Sequence, residues 1–126
     1  MDATAKLFIL LGSTNAALAV ILGAFGAHAL KTKISEQMLG VFQTGIQYHF
    51  YHALGLLLLG ILALNLPSSN WLKASGLLML MGILLFSGSL YALALSNIRW
   101  LGAITPLGGT AFILAWCSLV VALLTN

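Results

Sequence analysis

The stretch QTGIQYHFYHALGLLLLGILALNL, residues Gln43 to Leu66, decides the fold. From Thr44 to Leu66 it is long enough to cross a hydrocarbon core, which takes about 20 residues at 1.5 Å rise per residue. Its second half, from Ala53, is almost wholly apolar. Its first half is a dense polar patch, with His49 and His52 in an H-x-x-H spacing. Lipid tolerates polar side chains only where protein or water satisfies them. The stretch therefore predicts both a membrane span and a place where polar chemistry collects.

The rest of the chain has the same character. Of 126 residues, 61% are hydrophobic and 6% charged. A soluble domain carries about 25% charged residues and could not cover its surface with this composition. Four apolar segments are expected to span the membrane as one domain over residues 1–126, at about 7–30, 44–66, 71–96 and 106–124. Barrel strands would need alternating segments of about ten residues, which are absent. The fold class is all-α: a polytopic membrane protein with four transmembrane helices in an antiparallel bundle, since short connections make neighbouring helices antiparallel.

The breaks carry their own signals. Lys31-Thr32-Lys33 closes span one, and Ser35 with Gln37 and Met38 suits a short amphipathic lead-in to span two. Pro67 disfavours helix at Leu66, and Ser69 or Asn70 can cap span three. Asn97-Ile98-Arg99-Trp100 ends span three. Thr105-Pro106 reads as an N-cap with proline at the first helical position. Trp71 and Trp100 sit at opposite ends of span three as interface anchors. Leu7 to Ala27 followed by Ala27-His28-Ala29 imitates a signal peptide, but the run exceeds an h-region of about 7–15 residues, so a retained span is expected.

Small residues form stripes in span one (Gly12, Ala16, Ala19, Gly23) and span four (Gly108, Ala111, Ala115, Ser118, Ala122). Such stripes let helix backbones approach closely, within one chain or between copies in a homo-oligomer. The basic residues are scattered between spans, as topology and headgroup anchors rather than a nucleic-acid surface. Lys6, Lys73 and the N-terminal amine on one side balance Lys31, Lys33 and Arg99 on the other, so charge does not orient the chain. Cys117 is the only cysteine and forms no intrachain disulfide.

On this layout His28, Gln47, Tyr48, His49, His52, Ser89, Tyr91 and Thr105 are expected together at one membrane face, with Asn15 apart near the middle of span one. At about 100° per residue, Gln43, Gln47, Tyr51, Tyr48, His52 and His49 sweep a polar arc. Phe42, Ile46, Phe50 and Ala53 fill an apolar wedge expected to face lipid. The cluster can act as a hydrogen-bonded network that fixes helix register. It can also line a vestibule for a proton or small solute, although no Asp, Glu, Lys or Arg lies inside a span. His28, His49 and His52 are the candidates for a metal site, and a histidine pair for haem, but no carboxylate stands near to orient the rings. Neither Cys117, Ser87 nor Ser89 has a base beside it in sequence, so no catalytic residue is expected and no cofactor is assigned.

Four ordered motifs carry a family resemblance: Gly23-Ala24-Phe25-Gly26-Ala27-His28-Ala29-Leu30; Gln43-Thr44-Gly45 with Tyr48-His49 and His52-Ala53; Ser87-Gly88-Ser89-Leu90-Tyr91; and Thr105-Pro106-Leu107-Gly108-Gly109. Together they resemble the domain-of-unknown-function 423 family of small bacterial membrane proteins, related to the eukaryotic transmembrane protein 256 group. The resemblance implies four transmembrane helices and a multi-pass location in the bacterial inner membrane. It supplies no activity, catalytic residue or cofactor. The expected partners are membrane lipid, copies of the chain or another membrane protein, and no nucleic acid.

Overall fold

The computed structural model describes residues 1–126. Four helices are long and apolar enough to cross a membrane: α1 (Ala3–Leu30), α2 (Glu36–Asn65), α3 (Asn70–Ser96) and α4 (Arg99–Leu124). All begin ahead of the spans expected from the apolar runs, α2 by the most, since it starts at Glu36 rather than Thr44. Asp2 accepts a hydrogen bond from the Ala5 amide at 3.1 Å and starts α1. Ser35 Oγ accepts from the Met38 amide at 3.1 Å, so the expected lead-in is the first part of α2 itself. Ser69, rather than Asn70, caps α3 by accepting from the Leu72 amide at 3.4 Å. Asn97 ends α3 in the left-handed region at φ 57°, a conformation asparagine tolerates at helix C-termini.

The start of α4 departs from expectation. Arg99–Ala103 form a 3-10 turn, and Thr105 makes no cap. It is the first residue of the regular helix, not the residue before it, and its hydroxyl lies 2.6 Å from Ser89 Oγ. Pro106 does stand in the first turn, where its missing N–H costs nothing.

At 26–30 residues each, the helices are about 39–45 Å long, against a hydrocarbon core of about 30 Å. Their ends reach the headgroups or the helices tilt. They pack in sequence order: α1 on α2, α2 on α3 and α3 on α4. Close approach rests on missing side chains. A Cβ on Gly12 would lie 2.7 Å from the Leu57 amide nitrogen, and one on Gly108 would run into the Phe86 backbone. Gly12 and Ala19 of the first stripe are buried, and all five members of the second are buried. The stripes serve packing within the chain.

Apolar clusters close both ends. Phe8, Leu56, Leu59, Leu72, Met79, Phe112 and Leu119 belong to the larger, toward the α2–α3 connection. Leu30, Met38, Phe42 and Ala94 form the smaller, toward the other two connections. Of the wedge expected to face lipid, Phe42 and Ala53 are fully buried and belong to the core, while Ile46 and Phe50 are half-buried at the surface. Because α2 touches α1 on one flank and α3 on the other, its buried arc runs through His52, Gly45, His49, Phe42 and Ala53. Gln43, Gln47 and Tyr51 turn outward instead.

Two helices contain π-helical turns, at Gly26–Leu30 in α1 and Ile83–Ser87 in α3. Each accommodates an extra residue within the spiral. In α3 the turn brings Ser87 Oγ to the Gly45 carbonyl of α2, donating at 2.7 Å.

Candidate functional site

The early start of α2 moves the histidines away from the membrane face. His49 lies about 20 Å along α2 from Glu36, near the middle of a helix about 45 Å long. His49, His52 and Asn15 therefore form a belt at mid-depth, and the polar residues as a whole divide into separate groups.

The first group is a directional chain through three helices. Asn15 Nδ2 donates to the Leu11 carbonyl at 2.8 Å, which leaves Asn15 Oδ1 as the acceptor facing His49 Nε2 at 2.9 Å. An acceptor there assigns the proton to Nε2. His49 Nδ1 is then an acceptor, and the Tyr91 hydroxyl donates to it at 2.8 Å. The order is Tyr91 of α3, His49 of α2, Asn15 of α1. The Tyr91 ring is held against Phe42, with ring centroids 5.1 Å apart.

The second group uses the other tautomer. His52 Nδ1–H donates to the Tyr48 carbonyl at 2.7 Å, since a carbonyl can only accept. His52 Nε2 accepts from Trp116 Nε1–H at 3.1 Å, since indole can only donate. The imidazole stacks on Phe112, with centroids 3.5 Å apart and planes within 8°. Tyr48 and Phe86 extend this aromatic array, with centroids 4.6 Å apart. Two further buried hydroxyls tie helices together: Ser87 to Gly45, and Ser75 Oγ donating to the Ala115 carbonyl at 2.7 Å. No buried side-chain nitrogen or oxygen lacks a partner.

Several expected members lie elsewhere. His28 is exposed within the π-helical turn of α1. Gln47 is exposed at the open groove between α2 and α1, beside Ala19, Val20 and Gly23 and away from both histidine groups. Ser89 and Thr105 bond one another near the α3–α4 connection, apart from both histidine groups. His28, His49 and His52 do not converge, and no three His, Cys, Asp or Glu side chains form a metal-binding group. All four ring nitrogens of His49 and His52 already face protein partners.

The residues not anticipated are Asn15, Trp116 and Ser75. Asn15 did carry a signal, as the lone amide inside the span-one run. A hydrogen-bonding amide deep in an apolar helix needs an interhelical partner. Trp116 and Ser75 gave none, because both suit an ordinary packing face.

Four apolar helices joined by short turns, with their buried polar groups paired inside the bundle, define a polytopic α-helical membrane protein. The chain belongs to the DUF423 family, described as proteins of unknown function, which it matches over residues 22–109. It is 56% identical over 117 residues to the UPF0382 membrane protein YwdK of Bacillus subtilis strain 168, covering 93% of this chain and 95% of the relative. It is 50% identical over 117 residues to the UPF0382 membrane protein SSP2132 of Staphylococcus saprophyticus, covering 92% and 95%. A UPF0382 membrane protein of Staphylococcus epidermidis strain ATCC 12228 is 48% identical over 120 residues, covering 94% and 96%. No solved structure matches the chain.

Proposed function

We propose that this chain is a non-enzymatic helical module of the bacterial inner membrane, working through contacts with lipid and with membrane-protein partners or copies of itself. In this role the histidine belt positions helices. One observation carries the proposal: both ring nitrogens of His49 and of His52 are engaged within the chain, and each bond set uses a definite neutral tautomer. A histidine that ligates a metal needs a nitrogen lone pair directed at the ion, and a shuttle needs access to water. Here Asn15, Tyr91, Tyr48 and Trp116 occupy those directions. Such cross-helix bonds are the means by which polar side chains hold membrane helices together.

The test pairs stability with transport. Purified His49→Gln and His52→Gln variants should unfold at lower temperature than the parent in the same detergent. Proteoliposomes of the parent should stay tight to protons and to a panel of small solutes. Proton flux above that of empty liposomes, abolished by His49→Gln, would replace this role with permeation. Stoichiometric metal after chelator-free purification, lost in His49→Gln, would replace it with a metal site.

A further inference from the structure

A cleft of about 410 Å³ opens sideways from the bundle between α2, α3 and α4. Its walls are Tyr48, His52, Phe86, Phe112, Ile113 and Trp116, with Gly109 on the α4 side. Tyr48, Ile113 and Trp116 are exposed at its mouth, and all three lie near the middle of their helices. In a bilayer that mouth meets hydrocarbon rather than water. An occupant must therefore arrive dissolved in the membrane.

The walls specify its shape and its polar group. Aromatic faces and edges favour a flat ring, through offset or edge-to-face contacts. An apolar cavity of only about 150 Å³ already takes benzene, so this cleft has room for a fused bicyclic ring. Polarity is confined to one atom. The imidazole of His52 is spent on the Tyr48 carbonyl and the Trp116 indole N–H, and the Tyr48 hydroxyl has no partner within the chain. The Tyr48 hydroxyl is left as a donor in a medium that offers no acceptor. Its complement is a carbonyl oxygen on a flat, lipid-soluble ring.

We propose that this cleft binds the headgroup of a membrane quinone, its ring lying among Phe86, Phe112 and Trp116 and one carbonyl accepting from the Tyr48 hydroxyl. The ring enters from the lipid, and its hydrocarbon tail remains there along the outer surface of α2 and α4. Gly109 keeps the cleft open. A Cβ at that position meets no atom closer than Phe86 Cδ2 at 3.8 Å, so a larger side chain there would fill the cleft without displacing the backbone.

Trp116 is the reporter, in a Trp71→Phe, Trp100→Phe background reconstituted into phosphatidylglycerol–phosphatidylcholine nanodiscs. A short-tailed naphthoquinone should quench Trp116 saturably as its mole fraction rises. Gly109→Leu should remove the saturable component while circular dichroism and unfolding temperature stay near those of the parent. Tyr48→Phe, which deletes one oxygen, should raise the half-saturating mole fraction about five-fold, the worth of one hydrogen bond. Quenching that rises linearly overturns the proposal, as does saturable quenching unchanged in both Gly109→Leu and Tyr48→Phe. So does quenching of Trp116 by brominated acyl chains that the quinone cannot relieve, which would make a phospholipid tail the occupant.

Discussion

Tyr91→Phe and Asn15→Ala should be coupled although the two residues never touch. Tyr91→Phe deletes a single oxygen and leaves the ring beside Phe42. It removes the donor to His49 Nδ1, and interhelical hydrogen bonds of this kind average about 0.6 kcal/mol and reach about 1.7 kcal/mol. Asn15→Ala removes the acceptor of His49 Nε2–H, with a loss of the same order. The two opposed bonds hold the imidazole in the one pose that serves both, and each polarises the ring in the sense that strengthens the other. With Phe at 91 the Nε2–H bond to Asn15 is looser and weaker, and Asn15 loses much of its value. The double variant should therefore be less destabilised than the sum of the singles by more than about 0.5 kcal/mol, the upper end of the additivity margin seen for independent sites. Reversible unfolding of the parent, both singles and the double in mixed detergent–SDS micelles measures all four corners. Singles that sum within that margin would refute the idea that the chain of bonds acts as a unit.

Glycine substitutions should separate by place. Gly40→Ala meets nothing within 4 Å and should stabilise α2 by up to about 1 kcal/mol, whereas Gly108→Ala drives its methyl into the Phe86 backbone and should cost about 1–3 kcal/mol, both read by thermal unfolding. Ser87→Ala keeps the packing volume but removes the bond to the Gly45 carbonyl, so unfolding should show a loss of about 1 kcal/mol; an unchanged midpoint would mean the bond contributes nothing. Cys117 faces outward from α4 inside a span, and a membrane-impermeant maleimide should leave it unlabelled in intact vesicles. A Ser68→Cys change in a Cys117→Ser background should label when its side of the membrane faces the reagent.

The four helices are legible in the sequence because an apolar run of spanning length has few alternatives in a chain so poor in charge. Their starts are less so. Ser35, Gln37 and Met38 suggest a lead-in to span two but not its continuity with the span; the Ser35 cap starts α2 at Glu36, eight residues ahead of Thr44. This shift moves His49 and His52 from a membrane face to mid-depth. The polar arc of α2 exists as an arc, but its members do not all face the same surroundings. Helical periodicity reports which residues share a side, but not which side meets a neighbour. Gln47 turns out and Phe42 turns in, because α2 is gripped by α1 and α3 on flanks that the wheel does not mark. Asn15 stands out by composition, yet its link to His49 depends on the pairing of α1 with α2. Ser89 and Thr105 do lie near one end, and Thr105 does not cap because the preceding 3-10 turn runs into the helix and makes Thr105 its first residue.

The π-helical turn at Ile83–Ser87 makes α3 unusually tolerant of a change in length within it. The turn holds one residue more than a regular helix needs and absorbs it locally. Removing one residue from Ile83–Phe86 would restore a regular helix and leave the segment beyond it facing nearly as before, with Tyr91 still directed at His49. Removing one residue from a regular stretch such as Leu77–Leu80 would instead turn everything beyond it by about 100° relative to the start of α3 and take Tyr91 away from His49. A one-residue gap at the π-turn of a related sequence is therefore compatible with an intact link between the third helix and the histidines, whereas a gap elsewhere in the same span marks a protein that has given up that link.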